Sequence, residues 1–233
     1  MKKLSKNIKK ICLWTISIFF IITILWALIY RFLNPPFTPL MLVRYVQDDN
    51  PNKVLQKNWK DIDDISKNTI LAAVAAEDQS FFIHHGFDFN EINKSILAYE
   101  KRGQLRGAST LSQQTAKNVF LLPVRSWLRK GFESYFTILI ELLWGKKRII
   151  EVYLNVAELG DGIYGVEAAS NHYFGKSAGK LNMRESAYLA SLLPNPRIYS
   201  KKNYSDYRNK KIGWILKQMK NLSGVNFVER HFK

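Results

Sequence analysis

From Ile11 to Tyr30 the chain runs for twenty residues without a charged side chain, rich in Ile, Leu, Phe and Trp. A helix of that length crosses a hydrocarbon core of about 30 Å. Lys2, Lys3, Lys6, Lys9 and Lys10 precede the run, and Arg31 alone follows closely. The positive-inside rule then places the N-terminus in the cytoplasm and the bulk of the chain outside. A cleaved signal peptide is the alternative. Its apolar core would be shorter and would end in a small-x-small site, whereas this run continues into Tyr30-Arg31-Phe32-Leu33-Asn34-Pro35-Pro36. A retained anchor is therefore expected.

The 233 residues leave room, after an anchor, for one domain large enough to bury a full core. The formal charge of +16 calls for an anionic partner: nucleic acid, a membrane surface or a phosphorylated substrate. A basic domain tethered to a membrane meets anionic headgroups first. No zinc finger, RNP motif or basic recognition helix is present, which argues against nucleic acid. The basic residues are spread along the chain, so much of the charge is read as a solvated, membrane-facing surface. The single cysteine, Cys12, lies in the apolar run, so the remainder folds without disulfides.

Periodicity and punctuation predict a mainly α domain. Three prolines between Asn34 and Pro39 predict a stiff connector. Met41 to Tyr45 reads as a short strand or a first helical turn, and Asp48 to Lys60 as a polar loop. Helices are expected over Asp61 to Ala76, with Ser66 able to cap its second half, and over Phe89 to Tyr99. Glu100 to Gly107 reads as a mobile loop. Thr110 to Phe120 follows as a helix capped by Ser109 or Thr110. Arg129 to Trp144 and Lys146 to Leu159 form two amphipathic helices broken at Gly145. After a tight turn at Gly160-Asp161-Gly162 come helices over Val166 to Phe174, Met183 to Leu193 and Tyr207 to Asn221. The implied divisions are a basic tail (1–10), an anchor (11–33), a connector (34–60) and a domain (61–225).

The chemistry-bearing residues fall in five segments. Glu77 and Asp78 end an apolar run, where poor hydration raises a carboxyl pKa toward that of a working acid or base; a helix simply ending in solvent is the bland alternative. Thr110, Gln114, Lys117 and Asn118 share one helix face, with a hydroxyl, two amides and an ammonium suited to phosphate. The Walker spacing is absent, so a nucleotide loop is not supported. Arg125, Arg129 and Glu133, at i, i+4 and i+8, read either as a salt-bridge ladder or as a pyrophosphate site beside a second carboxylate. In the fourth segment Ile150, Leu154 and Ala157 read as core, while Asn155 and Glu158 brace the neighbouring site. The fifth, from Arg184 to Pro196, reads as a buried helix with a proline stop. His84, His85 and His172 lack metal-ligand spacing. Trp127 and Trp144 read as core or interface anchors.

In order, the segments EDQSFFIHHGFD, GASTLSQQTAKN, RKGFE, KKRIIEVYLNVAELG and ESAYLASLLPNP resemble the five signature blocks of the peptidoglycan glycosyltransferases, glycosyltransferase family 51. The resemblance covers roughly Asp61 to Ser200. It implies a lysozyme-like helical head and a smaller jaw that dips into the membrane, here including Val119 to Trp127. It implies lipid II and the nascent glycan strand as substrates, and an anionic membrane as the surface. Contacts with proteins of cell-wall synthesis or division stay open, and nucleic acid has no place. No cofactor is obligatory; a divalent cation, magnesium or manganese, is allowed.

By position in those blocks, Glu77 would be the general base and Glu133 the second essential glutamate. Asp78, Phe81, His84, Ser109, Thr110, Gln114, Lys117, Asn118, Arg125, Arg129 and Lys130 would bind substrate. The stretch Leu121-Leu122-Pro123-Val124 is the least familiar, which bears on the local jaw geometry. A muramidase or lytic transglycosylase would also need an acidic glutamate in such a fold. It has no use for Lys117, Arg125 and Arg129, because no pyrophosphate leaves. A non-catalytic scaffold would need neither Glu77 nor Glu133.

Overall fold

The computed structural model describes residues 2–48, 54–103 and 107–232. The N-terminal helix α1 (Lys2–Phe32) includes the apolar run, and its segment Lys9–Phe32 is long and apolar enough to cross a membrane. Most of that segment faces outward, with Ile11, Leu13, Trp14 and Ile22 each more than half exposed. Its C-terminal part docks on the domain. Thr23 shares a hydrogen bond of 2.7 Å with the Tyr135 hydroxyl, and Trp144 Nε1 donates to the Ala27 carbonyl at 2.7 Å. The Arg148 guanidinium closes the helix end, donating to the carbonyls of Tyr30 and Leu33. A cation there satisfies orphan carbonyls and opposes the negative end of the dipole.

The connector is more structured than its composition implies. Thr38 caps α2 (Pro39–Gln47), with Pro39 at the first helical position, where its missing N–H costs nothing. The Met41 to Tyr45 stretch is therefore helix. Strand β1 (Gln56–Lys57) then pairs with β3 (Ile163–Tyr164) in a small sheet, which ties this part of the connector to the domain. A 3-10 turn at Ile62–Asp64 precedes α3 (Lys67–Glu77). Ser66 occupies the N-cap position of α3 but makes no cap bond; its hydroxyl donates to Leu181 at 2.8 Å.

Helix α3 is buried continuously from Thr69 to Ala75, as expected of a helix apolar on every side. Around it stand α9 (Met183–Leu192), α11 (Ser205–Asn221) and α12 (Val225–His231). The last of these was not anticipated; Phe82 stacks on His231 with ring centres 4.5 Å apart, fastening the segment after α3. Next come α4 (Phe89–Arg102), closed by Gly103 in the left-handed region, and α5 (Leu111–Phe120). Much of the expected loop from Glu100 to Gly107 lies outside the described residues, since 104–106 are not among them.

Helix α5 packs between α6 (Trp127–Leu143) and α7 (Gly145–Val156). Gly145 separates these two at φ 73, a backbone conformation that side chains disfavour. The chain then forms β2 (Glu158–Gly160) and β3 (Ile163–Tyr164), with strand order β1-β3-β2. Helix α8 (Val166–Phe174), a short α10 (Pro196–Tyr199) and 3-10 turns at Ala178–Lys180 and Lys202–Tyr204 follow. Between α5 and α6 the segment 121–126 is irregular; Leu122 and Val124 in it, and Trp127 and Leu128 at the start of α6, are all largely exposed.

Candidate active site

Because α3 is buried almost to its end, its last residue, Glu77, keeps a poorly hydrated carboxyl. Burial is the largest influence and raises its pKa above the ordinary carboxylate range, against a hydrogen bond from Gln114 and the charges of Lys211 and Lys117. Gln114 Nε2 donates to Glu77 Oε2 at 2.8 Å, and the Tyr153 hydroxyl donates to Gln114 Oε1 at 3.2 Å. Tyr153 is buried, and burial holds its hydroxyl protonated. An ionised Glu77 can only accept, which turns the amide NH2 toward it and leaves the amide oxygen to accept from the tyrosine hydroxyl.

Asp78 has different company. It accepts from the Leu111 N–H at 2.9 Å and from His84 Nε2 at 3.0 Å to each carboxylate oxygen. The Gly86 N–H donates to His84 Nδ1 at 3.1 Å, so Nε2 carries the proton in a neutral imidazole. Leu111 opens α5, so Asp78 also sits at the positive end of that helix. Thr110 caps the same helix through a reciprocal pair with Gln113 and donates its hydroxyl proton to the Gly86 carbonyl at 2.7 Å. Gly86 has φ 92, and a Cβ there would lie 2.9 Å from Thr137, so a side chain is barred twice. These bonds clasp the 78–86 segment to the start of α5, which sets Glu77 against Gln114.

A cavity of about 440 Å³ opens beside Gln114, walled by α2, α5, 121–125 and the start of α6, and across from them by β2 and 193–197. Lys117, Asn118, Arg125 and Arg129 line it. Burial lowers the Lys117 pKa, opposed first by the attraction of Glu133 and reinforced by the repulsion of Arg129 and Lys130. Glu133 is buried and held by Arg129 Nη1 at 2.7 Å and by the Lys130 ammonium. A divalent ion finds no ready ligand set: both Glu133 oxygens are taken by cations, and the described residues contain no cluster of three or more His, Cys, Asp or Glu side chains.

The structure sorts the sequence-derived candidates. Gln114, Lys117, Asn118, Arg125 and Arg129 line the cavity, Glu77 and Glu133 bond to residues that do, and Lys130 bonds to Glu133 behind them. Arg125 precedes α6 rather than sharing its side with Arg129. Asp78, Phe81, His84 and Thr110, expected to bind substrate, do not line the cavity; His84 is half-buried, the others are buried, and all but Phe81 are committed to internal hydrogen bonds. Their position makes them supports for Glu77 and α5. Ser109 is exposed just before α5 and also stays outside the lining. Asn155 braces the connector, exchanging hydrogen bonds with the Lys60 backbone at 2.7 and 2.8 Å.

Sequence reasoning missed one wall. Leu193, Pro194, Asn195, Pro196 and Arg197 border the cavity, as does Arg44, beside Glu158, which the sequence had already placed next to the site. The signal was an asparagine between two prolines: neither proline supplies an N–H to continue α9, so the chain must leave as a loop.

A transglycosylase family model matches residues 46–220. The chain is 43% identical over 232 residues to a biosynthetic peptidoglycan transglycosylase of Pseudomonas fluorescens, covering 99% of this chain and 95% of that protein. It is 46% identical over 233 residues to the protein of that name from Mannheimia succiniciproducens, covering 98% and 95%. A third, from Chromohalobacter salexigens, is 46% identical over 211 residues, 90% of each chain. The chain belongs to the transglycosylase family. It is thus an enzyme of glycosyl transfer, and the mainly helical fold expected of that family is the one observed.

Proposed function

We propose an assignment of donor, acceptor and general base for the peptidoglycan strand polymerisation to which the family membership points. The donor is the growing glycan on undecaprenyl pyrophosphate, and the acceptor is lipid II. Glu77 takes the proton of the acceptor GlcNAc 4-hydroxyl. That oxygen attacks C1 of the donor MurNAc, the C1–O bond to pyrophosphate breaks, and inversion yields a β-1,4 link. Lys117, Arg125 and Arg129 receive the departing negative charge. Glu133 fixes Arg129 and Lys130, and Gln114 and Asn118 contact sugar or phosphate oxygens.

The observation that carries this reading is the pairing of unlike surroundings at one cavity. Glu77 has burial and a neutral amide, which suit a proton acceptor, beside a cluster of cations that suits a pyrophosphate. A base with no cations nearby would serve hydrolysis as well.

The membrane side of the reading rests on α1 and on the exposed Leu122, Val124, Trp127 and Leu128. We place the N-terminal lysines in the cytoplasm of a bacterial inner membrane and residues 61–225, the proposed catalytic domain, in the periplasm. The four apolar side chains enter the outer face of that membrane beside the anchor.

The test is lipid II turnover by the full chain in detergent, with products resolved before and after muramidase digestion. Muramidase-sensitive polymer supports the assignment. Release of sugar from preformed glycan without polymer points to the lytic enzyme, and neither product from folded protein points to a scaffold.

A further inference from the structure

The cavity carries a second charged group whose character differs from the first. Arg44 on α2, Glu158 on β2 and Arg197 on α10 all border it. The charges that act on Glu158 are Arg44, Arg197 and Asp161, whereas those on Lys117 are Glu133, Arg129, Lys130 and Glu77. The two groups share no member. The first has an excess of cations. The second has two guanidiniums against two carboxylates and is neutral.

Glu158 is a poorly satisfied member of this group. Its side chain is 8% exposed, yet Arg44 Nε stands 3.8 Å from Oε2 and Arg197 Nε 3.4 Å from Oε1. Arg197 is committed elsewhere, donating from Nε to Asp161 Oδ1 at 2.7 Å. Among the described residues, neither Glu158 Oε1 nor Arg44 Nε has a hydrogen-bond partner, although both atoms are buried. Burial also pushes the Glu158 carboxyl above its ordinary range. An unpaired buried acceptor beside an unpaired buried donor is costly unless something supplies both complements.

The complement is a group that donates and accepts at adjacent atoms without net charge. A sugar hydroxyl or an acetamido group meets both demands. A phosphate or carboxylate does not, since it offers no proton to Glu158 and meets no excess positive charge here. We propose that Glu158 and Arg44 form a saccharide clamp that grips a hydroxyl or acetamido group of the glycan, with Arg197 and Asp161 holding the clamp in place. This inference rests on the polymerase reading for the identity of its sugar.

The experiment uses the full chain in detergent, as wild type, Glu158→Gln and Arg44→Gln. Lipid II turnover supplies kcat and KM, saturation-transfer NMR reports binding of a soluble β-1,4-linked N-acetylglucosamine tetramer, and thermal melting checks each fold. The clamp predicts a KM raised by about tenfold or more in both variants, with kcat changed less than about threefold. It also predicts a tetramer signal from the wild type and from Glu77→Gln that is lost in both clamp variants. A KM within about twofold of wild type, a tetramer signal that survives both substitutions, or no signal from the wild type overturns it. Arg44, about a third exposed, decides the question if Glu158→Gln does not fold. A wild type that binds the tetramer but makes no polymer overturns the polymerase assignment and leaves the clamp standing.

Discussion

Two glutamates that bond to the lining of this cavity keep opposite company. Glu77 ends a helix buried on every side and meets one neutral donor, Gln114, with lysines acting from further away. Glu133, nearly two turns into α6, is clasped by Arg129 and Lys130. Both carboxylate oxygens of Glu133 accept from cations, which makes it an anchor that holds the two in place. A carboxylate short of hydration and cations is a good proton acceptor. The contrast teaches that the side chain alone does not define its role; the helix that delivers it does.

The sharpest way to break the contrast is to remove the two carboxyl charges in turn. Glu77→Gln keeps the shape and the contact with Gln114, and is expected to lower polymerisation by ~10²–10⁴-fold with lipid II binding unchanged. Cation losses come next: Lys117→Ala or Arg129→Ala is expected to cost ~10²–10³-fold in kcat.

The pH profile sharpens the same comparison. In the proposed mechanism the reaction needs Glu77 ionised and Lys117 protonated. Burial raises the first above its ordinary 4.5 and lowers the second below its ordinary 10.5, so the bell of kcat/KM is narrowed from both sides. Lys117→Arg, which stays charged, is expected to move the alkaline limb outward and leave the acid limb in place. An unmoved alkaline limb would assign that limb to another group.

Smaller effects fall on stability. Asp78→Asn loosens the clasp on Leu111 and His84, and is expected to lower the melting temperature by roughly 2–4 °C. Glu77→Gln should do the reverse at neutral pH. A carboxyl whose folded pKa lies above its unfolded value destabilises the fold as pH rises through that interval. The neutral amide escapes this, so a gain of about a degree or two is expected at pH 7, shrinking to nothing near pH 4. Melting curves of both variants across pH check it.

Much of this was legible in the sequence because it rests on local pattern. The apolar run gave α1, the unbroken LAAVAA stretch gave a buried α3, and Ser109 or Thr110 gave a cap for α5, which the structure assigns to Thr110. The spacing of Gln114, Lys117 and Asn118 put them on one wall. What was not legible depends on contacts distant in the chain. Asp78 and Thr110 resemble ligand-binding residues in sequence, yet their bonds run to Leu111 and Gly86, which no periodicity links. Arg44, in a stretch read as merely apolar, meets Glu158 across more than a hundred residues. The strands are two and three residues long, too short to alternate recognisably.

The most direct test of the contrast between the two glutamates is a single comparison of Glu77→Gln with Glu133→Gln, measuring lipid II affinity and polymerisation rate on the same preparations. The account predicts that Glu77→Gln binds lipid II as the wild type does but scarcely polymerises it, whereas Glu133→Gln, with its cations released, loses affinity as well as rate. Polymerisation by Glu77→Gln at close to the wild-type rate would contradict it, and the base would have to be sought elsewhere in the cavity.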